Sequence, residues 1–190
     1  MTELLRIDTR QRRAKLSAAD FEMLDRAGAF ANYRKTELID GDIYFVNSQL
    51  RSHGMVKMEL YDALREALKR SGSKYRPVAE FTLSLGERDR PEPDIMLTSE
   101  PRGEGFVPVE SVALVIEVSD TTLRTDLGRK LRQYAKGGIP EYWVADVKGR
   151  VVHRMSSPVE GSYAQRDLVR FGEPLTSQGL PGLTINTSDL

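Results

Sequence analysis

A glutamate lies within a short apolar segment of the sequence. Residues 112–118 read VALVIEV, a segment rich in β-branched residues and bounded by polar ones, which is typical of a strand buried on both faces. An ionised carboxylate is strongly destabilised in an apolar interior unless it has a partner. Glu117 therefore needs a counter-charge, a proton or a metal ion.

Asp94 offers a second carboxylate at the end of a predicted strand. It follows Pro93 and begins the stretch Asp94-Ile-Met-Leu, so we expect its side chain where a site can open to solvent. Two carboxylates at adjacent strand ends can hold one hard divalent cation, because Mg²⁺ and Mn²⁺ prefer oxygen ligands. Asp94 and Glu117 are therefore the candidate metal ligands. Taken alone, Asp94 is also typical of a residue that begins a strand after proline.

Lys130 lies on a predicted helix that runs from about Thr125 to Lys136. With ~100° per residue, it falls at the edge of the apolar stripe, between Leu127 and Tyr134, and can direct its ammonium toward the acidic end of the sheet. The other basic residues of this helix are predicted to form a solvated face: Arg129, Arg132 and Lys136.

These residue types suit phosphodiester hydrolysis. A bound cation polarises a phosphate and acidifies a water molecule, and a lysine can hold that water or neutralise developing charge. A purely structural interpretation explains the same residues. Glu117 can pair with Lys130 in an internal salt bridge, or it can stay neutral with a raised pKa.

The composition excludes several other kinds of site. The 190 residues include no cysteine and only two histidines, which excludes thiolate zinc sites, iron–sulfur clusters, cysteine nucleophiles and histidine-rich metal sites. Lys and Arg together number 28, as do Asp and Glu, so the net charge is zero and any nucleic-acid surface must be local. No stretch approaches the ~20 apolar residues of a membrane span, and the N-terminus lacks an apolar signal-peptide core. We therefore expect a soluble cytoplasmic protein.

The length suits one domain, which we predict over residues 17–190 after a basic arm at residues 1–16. Ser17 to Asp20 is typical of a helix cap, and Asp40-Gly41 between two strand-like segments predicts a hairpin. Further predicted elements are a helix at 52–70, a half-exposed strand at 79–85 and a second hairpin around Lys148-Gly149. This order predicts a mixed α/β sheet with helices on its faces.

Three residues are candidates for phosphate contact. Arg12 and Arg13 lie in the basic arm, which is otherwise interpreted as a solvated segment. His53 stands at the start of the second predicted helix, where the helix N-terminus attracts anions. A first-turn histidine that only covers the helix end is the simpler interpretation of His53.

The stretch EPDIM and the later segment VIEVSDTTLRTDLGRKLRQYAKGGIPEYWVADV closely resemble the Uma-type endonuclease family, a bacterial branch of the PD-(D/E)XK nuclease superfamily. The resemblance extends over roughly residues 17–155. It implies a restriction endonuclease-like core, a mixed β-sheet flanked by helices, to which an N-terminal helix, hairpin and helix are added. In that family a proline-aspartate and a later glutamate are metal ligands, and they match Pro93-Asp94 and Glu117.

The same resemblance suggests two further site residues. An acidic residue before the first hairpin assists in the family and matches Glu37, which as a cross-strand partner in an exposed hairpin also has a structural interpretation. The superfamily usually places its lysine two residues after the glutamate, and that position is Ser119 here. Members of the Uma-type family carry a lysine on the following helix, and Lys130 matches it.

The sequence therefore predicts a divalent-metal-dependent endonuclease acting on DNA. Asp94 and Glu117 would bind Mg²⁺ or Mn²⁺, Glu37 would complete or support the site, and Lys130 would position the water. Zero net charge favours a homodimer, which doubles the local basic surface. The alternative is a catalytically inactive nuclease fold that serves dimerisation or nucleic-acid binding.

Overall fold

The computed structural model describes residues 14–46 and 50–190, and Arg12 and Arg13 of the basic arm lie outside these ranges. The α-helices are Ala18–Arg26 (α1), Arg51–Arg70 (α2), Leu123–Thr125 (α3) and Leu131–Lys136 (α4). A 3₁₀ turn covers Val109–Ser111 and a π-helical turn covers Asp126–Lys130. The strands are Lys35–Ile39 (β1), Asp42–Val46 (β2), Arg76–Ala79 (β3), Leu83–Ser84 (β4), Ile95–Thr98 (β5), Val107–Pro108 (β6), Val112–Ser119 (β7), Glu141–Asp146 (β8), Val151–Val159 (β9), Ser162–Arg170 (β10), Leu175–Thr176 (β11) and Thr184–Ile185 (β12).

Six strands form one mixed sheet in the order β10-β9-β8-β7-β5-β3. Within this sheet β7 and β8 pair in parallel, and the other neighbours are antiparallel. A parallel pair needs a crossover connection, and the helical segment from α3 to α4 supplies it. The predicted mixed α/β sheet with flanking helices is therefore confirmed. None of the described helices is long and apolar enough to cross a membrane.

The sheet buries apolar side chains on both faces. On one face α2 packs through Leu60 and Leu64 against Ile116 of β7. On the other face α4 packs through Leu131 and Tyr134 against strand residues that include Val115 and Met96. Because side chains alternate along a strand, Glu117 shares the face of Val115, and Asp94 shares the face of Met96. Both candidate metal ligands therefore lie on the α4 side.

The hairpin β1–β2 carries residues to this side of the sheet. Asp40 and Gly41 have φ of 49° and 73°, the combination that a tight two-residue hairpin turn requires. The hairpin is held to the rest of the fold by reciprocal backbone hydrogen bonds between Leu38 and Arg90. Leu38 and Ile39 are buried, and so is Glu37 at their side. The hairpin is thus a docked element with a buried carboxylate.

The helix predicted over residues 125–136 is interrupted by a π-helical turn. The Leu131 N–H reaches back to the carbonyl of Asp126, five residues earlier, which widens the helix at this point. Asp126 and Lys130 are both buried, facing the sheet. The predicted solvated face is wrong for Arg129, which is half-buried, because its guanidinium lies over the ring of Tyr44 with 3.8 Å to the centroid.

Candidate active site

A cavity of about 270 Å³ opens beside the ends of β5 and β7. It brings together the four residues that the sequence assigns to catalysis: Glu37, Asp94, Glu117 and Lys130. Helix α2 adds His53 to the lining, and the crossover segment adds Asp126 and Arg129. All four predicted catalytic side chains are buried, with 8 % or less of each exposed. Charged groups at this depth must be matched by their neighbours.

Asp94 and Glu117 lie next to each other across two strands. Ile95 of β5 pairs with Ile116 of β7, so the next antiparallel position sets Asp94 opposite Glu117 on the same face. The backbone N–H of Val118 donates a 2.8 Å hydrogen bond to Oδ2 of Asp94. The sheet register therefore fixes both carboxylates at one end of the cavity.

Lys130 reaches the acids from the π-helical turn. Its Nζ donates to Oε1 of Glu117 at 2.9 Å and to Oε1 of Glu37 at 3.1 Å. Burial opposes the ammonium charge, but the carboxylates of Glu117, Glu37 and Asp126 outweigh it and hold the pKa of Lys130 well above its usual value. The lysine therefore stays charged and joins two acids that come from different elements.

Glu117 also accepts a 2.6 Å hydrogen bond from the Tyr134 hydroxyl, again at Oε1. Complete burial raises the pKa of Glu117 to about 7, and the attraction of Lys130 only partly offsets this. The pKa of Asp94 is shifted the other way, although burial alone would raise it as well. The hydrogen bond from His53 and the charge of Lys35 hold the pKa of Asp94 well below its usual value. The site thus contains two carboxylates whose pKa values are shifted in opposite directions, a pattern that is common in active sites.

Glu37 is placed to support Lys130. Its Oε1 accepts from Lys130 and also from the backbone N–H of Glu92 at 2.8 Å. Burial works against its charge, but Lys130 and Lys35 lower the pKa of Glu37 below its usual value. An ionised Glu37 fixes the direction in which the ammonium points.

His53 lies in the first turn of α2, as the sequence predicts, yet it also contacts the site. Its Nε2 is 3.2 Å from Oδ1 of Asp94. Lys35 of β1 adds a second cation, with Nζ 4.0 Å from the same oxygen. Sequence reasoning did not find these contacts, because residues 35 and 53 are distant from Asp94 along the chain and meet it only through the fold.

Asp126 is another site residue that the sequence analysis missed. Its Oδ2 accepts a 2.6 Å hydrogen bond from the hydroxyl of Thr122, and its charge acts on Lys130. Its position four residues before Lys130 on one helix was a usable signal. Ser119, at the usual lysine position, is fully buried, with its hydroxyl 3.3 Å from that of Thr122. The usual lysine position thus holds a hydroxyl here, and the ammonium that contacts Glu117 comes from Lys130 on the helical segment.

The donors suit a hard divalent cation. Among the described residues no group of three His, Asp or Glu side chains forms a ready metal cluster. Mg²⁺ nevertheless binds through one or two carboxylates and completes its shell with water and substrate phosphate oxygens. Both side-chain hydrogen bonds that Glu117 accepts go to Oε1, which leaves Oε2 without a protein donor among the described residues, and Asp94 lies opposite Glu117 on the same face. The residues present therefore fit a magnesium or manganese ion.

Comparisons with known proteins agree on the kind of fold. The family model Uma2, described as "putative restriction endonuclease", matches residues 18–188. A crystal structure of a "putative nuclease belonging to DUF820" from Anabaena variabilis ATCC 29413 superposes with a TM-score of 0.66. It is 16% identical and covers 92% of this chain and 96% of its own, a similarity that concerns the fold alone. No curated protein matches the sequence.

Proposed function

The chain belongs to the Uma2 family of restriction endonuclease-like proteins, and from this premise we propose that it is a divalent-metal-dependent endonuclease that hydrolyses DNA phosphodiester bonds. One observation carries the proposal. Two carboxylates share a cavity with the Lys130 ammonium: Asp94, directly before β5, and Glu117 on the neighbouring β7, which lies 2.9 Å from that ammonium. This set of groups matches the requirements of phosphodiester hydrolysis.

Each side chain has a distinct role in the proposal. Asp94 and Glu117 hold Mg²⁺ or Mn²⁺, which supplies Lewis-acid polarisation of the phosphate and acidifies water. Lys130 orients the attacking water and neutralises charge that develops on the phosphate. Glu37 is a positioning residue, because its carboxylate fixes the ammonium of Lys130. His53 holds Asp94 in one orientation through the contact at Oδ1.

The setting of this activity is also proposed. Residues 17–190 would act as one domain, since the two apolar clusters lie on opposite faces of the same sheet. A cytoplasmic homodimer would double the local basic surface of a chain whose net charge is zero. The phosphate contacts predicted for Arg12 and Arg13 belong to the same proposal.

Nicking of supercoiled plasmid DNA in Mn²⁺ tests the activity. We expect the wild-type protein to convert supercoiled to open-circle DNA, and Asp94→Ala to slow this by about 100-fold or more, since it removes a ligand of the cation. Asp62→Ala on the exposed side of α2 is the matched control and should nick at the wild-type rate. Equal rates for the wild type and Asp94→Ala would exclude the proposed active site.

A second candidate function has an observation in its favour. Lys130 already satisfies both Glu37 and Glu117, so the acids can serve as a structural ion-pair network in an inactive protein. Thermal unfolding separates the two cases, because a cation that binds only the folded protein must raise Tm. The nuclease requires a Tm increase in Mn²⁺ that Asp94→Ala abolishes. An inactive scaffold predicts the same Tm with and without the ion, and no nicking.

A further inference from the structure

Two exposed aromatic rings lie at the candidate active site, one lining the cavity and the other packed against the first. Phe45 of β2 lines the cavity, and 54% of it is exposed. The ring of Tyr33 packs against it, with 4.3 Å between ring centroids, and is itself 41% exposed. Packing on Tyr33 supports the Phe45 ring, yet the ring leaves apolar surface exposed to water, which is unfavourable. Such a ring suits a ligand that has a flat face.

A guanidinium group lines the same cavity as Phe45. Arg129 lines the same cavity, with its guanidinium stacked over Tyr44. Among the described residues it has no hydrogen-bond or ion-pair partner, and its Nε is buried without one. Most other cations of the cavity are paired, as Lys130 is with Glu37 and Glu117. A planar guanidinium fixed by stacking is well suited to bind a phosphate through two hydrogen bonds.

The combination favours an unpaired strand over a duplex. In a duplex the faces of the bases are stacked inside, so an exposed ring next to a phosphate-binding group has nothing to stack on. In a single strand the bases present their faces, and stacking on an aromatic ring provides affinity that tolerates any sequence. A chain with zero net charge gains little from general phosphate attraction, so stacking would matter more.

We propose that Tyr33, Tyr44, Phe45 and Arg129 form a surface, the hairpin surface, that binds an unpaired strand of nucleic acid beside the active site. Phe45 stacks on a base, and Arg129 binds an adjacent phosphate. Tyr33 and Tyr44 hold these two groups in place. The inference rests on the proposed function in one respect, since the bound strand would be the substrate of the nuclease.

Fluorescence anisotropy measures the binding without requiring hydrolysis. The probe is a labelled oligothymidylate, alone or annealed to oligodeoxyadenylate, titrated in EDTA and in parallel in Ca²⁺, which takes the same oxygen ligands. We expect the single strand to bind more tightly than the duplex, and Phe45→Ala to weaken single-strand binding by about 5-fold or more. Leu168→Ala is the control, because Leu168 is similarly exposed, at 61%, but lies outside this cavity.

Arg129→Gln gives a second, independent reading. Loss of one phosphate contact should reduce the slope of log K against log salt concentration by about 0.7, whereas Phe45→Ala should leave that slope unchanged. Arg129→Lys keeps the charge and should keep most of the slope, while the loss of the planar stack lowers the affinity. If Arg129 and Phe45 only stabilised the fold, their substitutions would not differ in their effect on the salt dependence of binding.

The outcomes distinguish this inference from the proposed function. Tighter binding of the duplex, or unchanged single-strand binding in Phe45→Ala, would overturn the hairpin surface even if plasmid nicking were observed. Single-strand binding that depends on Phe45, in the absence of any nicking, would support the hairpin surface and exclude the proposed nuclease activity. Sedimentation tests whether a second copy of the chain covers the rings instead. A wild-type dimer that Phe45→Ala converts to a monomer would show this and would also overturn the inference.

Discussion

Lys130 combines two tasks at the residue scale. Its ammonium joins Glu37 of the hairpin to Glu117 of the sheet, and in the proposed reaction it also holds the attacking water. Burial opposes the ionised form of both acids, and the charge of Lys130 favours it. The lysine is therefore required for stability as well as for the proposed chemistry, which makes its removal informative even in the absence of an activity assay.

Lys130→Met should destabilise the protein markedly. The substitution keeps the length of the side chain but removes the ammonium that contacts both Glu37 and Glu117, and breaking a buried pair from one side costs about 3–5 kcal/mol. The free energy of unfolding in urea measures the loss. Arg132→Met on the exposed side of α4 is the control and should change stability by less than about 0.5 kcal/mol.

An equal, small effect for both variants would contradict the ion-pair network. The double variant Lys130→Met with Glu117→Gln should recover part of the lost stability. The amide at position 117 is neutral, and its oxygen can still accept the hydrogen bond from the Tyr134 hydroxyl.

The sequence was informative about some of these residues and silent about others. Glu117 was predicted to need a partner, because a charge inside a β-branched strand cannot stay unmatched, and Lys130 was predicted to point at it from the helical spacing. Both ideas agree with the contacts. His53 and Lys35 carry no local signal of their contact with Asp94. Such contacts depend on how α2 and β1 dock, which no periodicity encodes.

At the scale of elements, the sequence predicted the helices and hairpins better than their irregularities. The capping box at Ser17 and the Asp40-Gly41 turn are confirmed, because local chemistry decides both. The strand predicted over 79–85 is only partly correct: β3 ends at Ala79, Glu80 has a φ of 58° that interrupts the extended backbone, and the strand resumes only at Leu83–Ser84, which pairs with β6 in a separate small sheet. Alternation of apolar residues does not reveal such a kink.

The turn of the first hairpin should be sensitive to a single methyl group. A Cβ on Gly41 would lie 2.8 Å from Cβ of Lys15 and 2.9 Å from the carbonyl oxygen of Leu16, in a left-handed conformation. Gly28 has a similar φ of 78° but nothing within 4 Å of such a Cβ. We expect Gly28→Ala to cost about 1 kcal/mol from the backbone alone, and Gly41→Ala clearly more.

Thermal unfolding of both variants measures this difference. Because the hairpin carries Glu37 and Phe45, Gly41→Ala should also reduce nicking and single-strand binding, whereas Gly28→Ala should leave both near the wild-type level. Equal destabilisation by the two substitutions would mean that the close approach of residues 15 and 16 to the turn does not constrain it.

At the scale of the whole molecule, the C-terminal segment closes over one buried carboxylate. Glu141 is fully buried at the start of β8 and has no basic partner among the described residues. It accepts hydrogen bonds from Trp143 Nε1 and from the backbone of Gln178 and Gly179, at 2.7 to 3.1 Å, and from the hydroxyl of Ser177. Donors from two parts of the chain thus converge on a single acceptor.

Glu141→Gln should loosen the C-terminal segment while leaving the active site assembled. The amide NH₂ would face groups that are donors, so at least one charge-assisted hydrogen bond is lost and another is weakened, at a cost of about 2–3 kcal/mol. Hydrogen exchange should show faster exchange at residues 177–190 than in the wild type, with little change around Glu117. Glu173→Gln, an exposed acid in the same part of the chain, is the control. Uniformly faster exchange over the whole sheet would instead mean that Glu141 stabilises the central strands, and that the C-terminal segment unfolds only together with them.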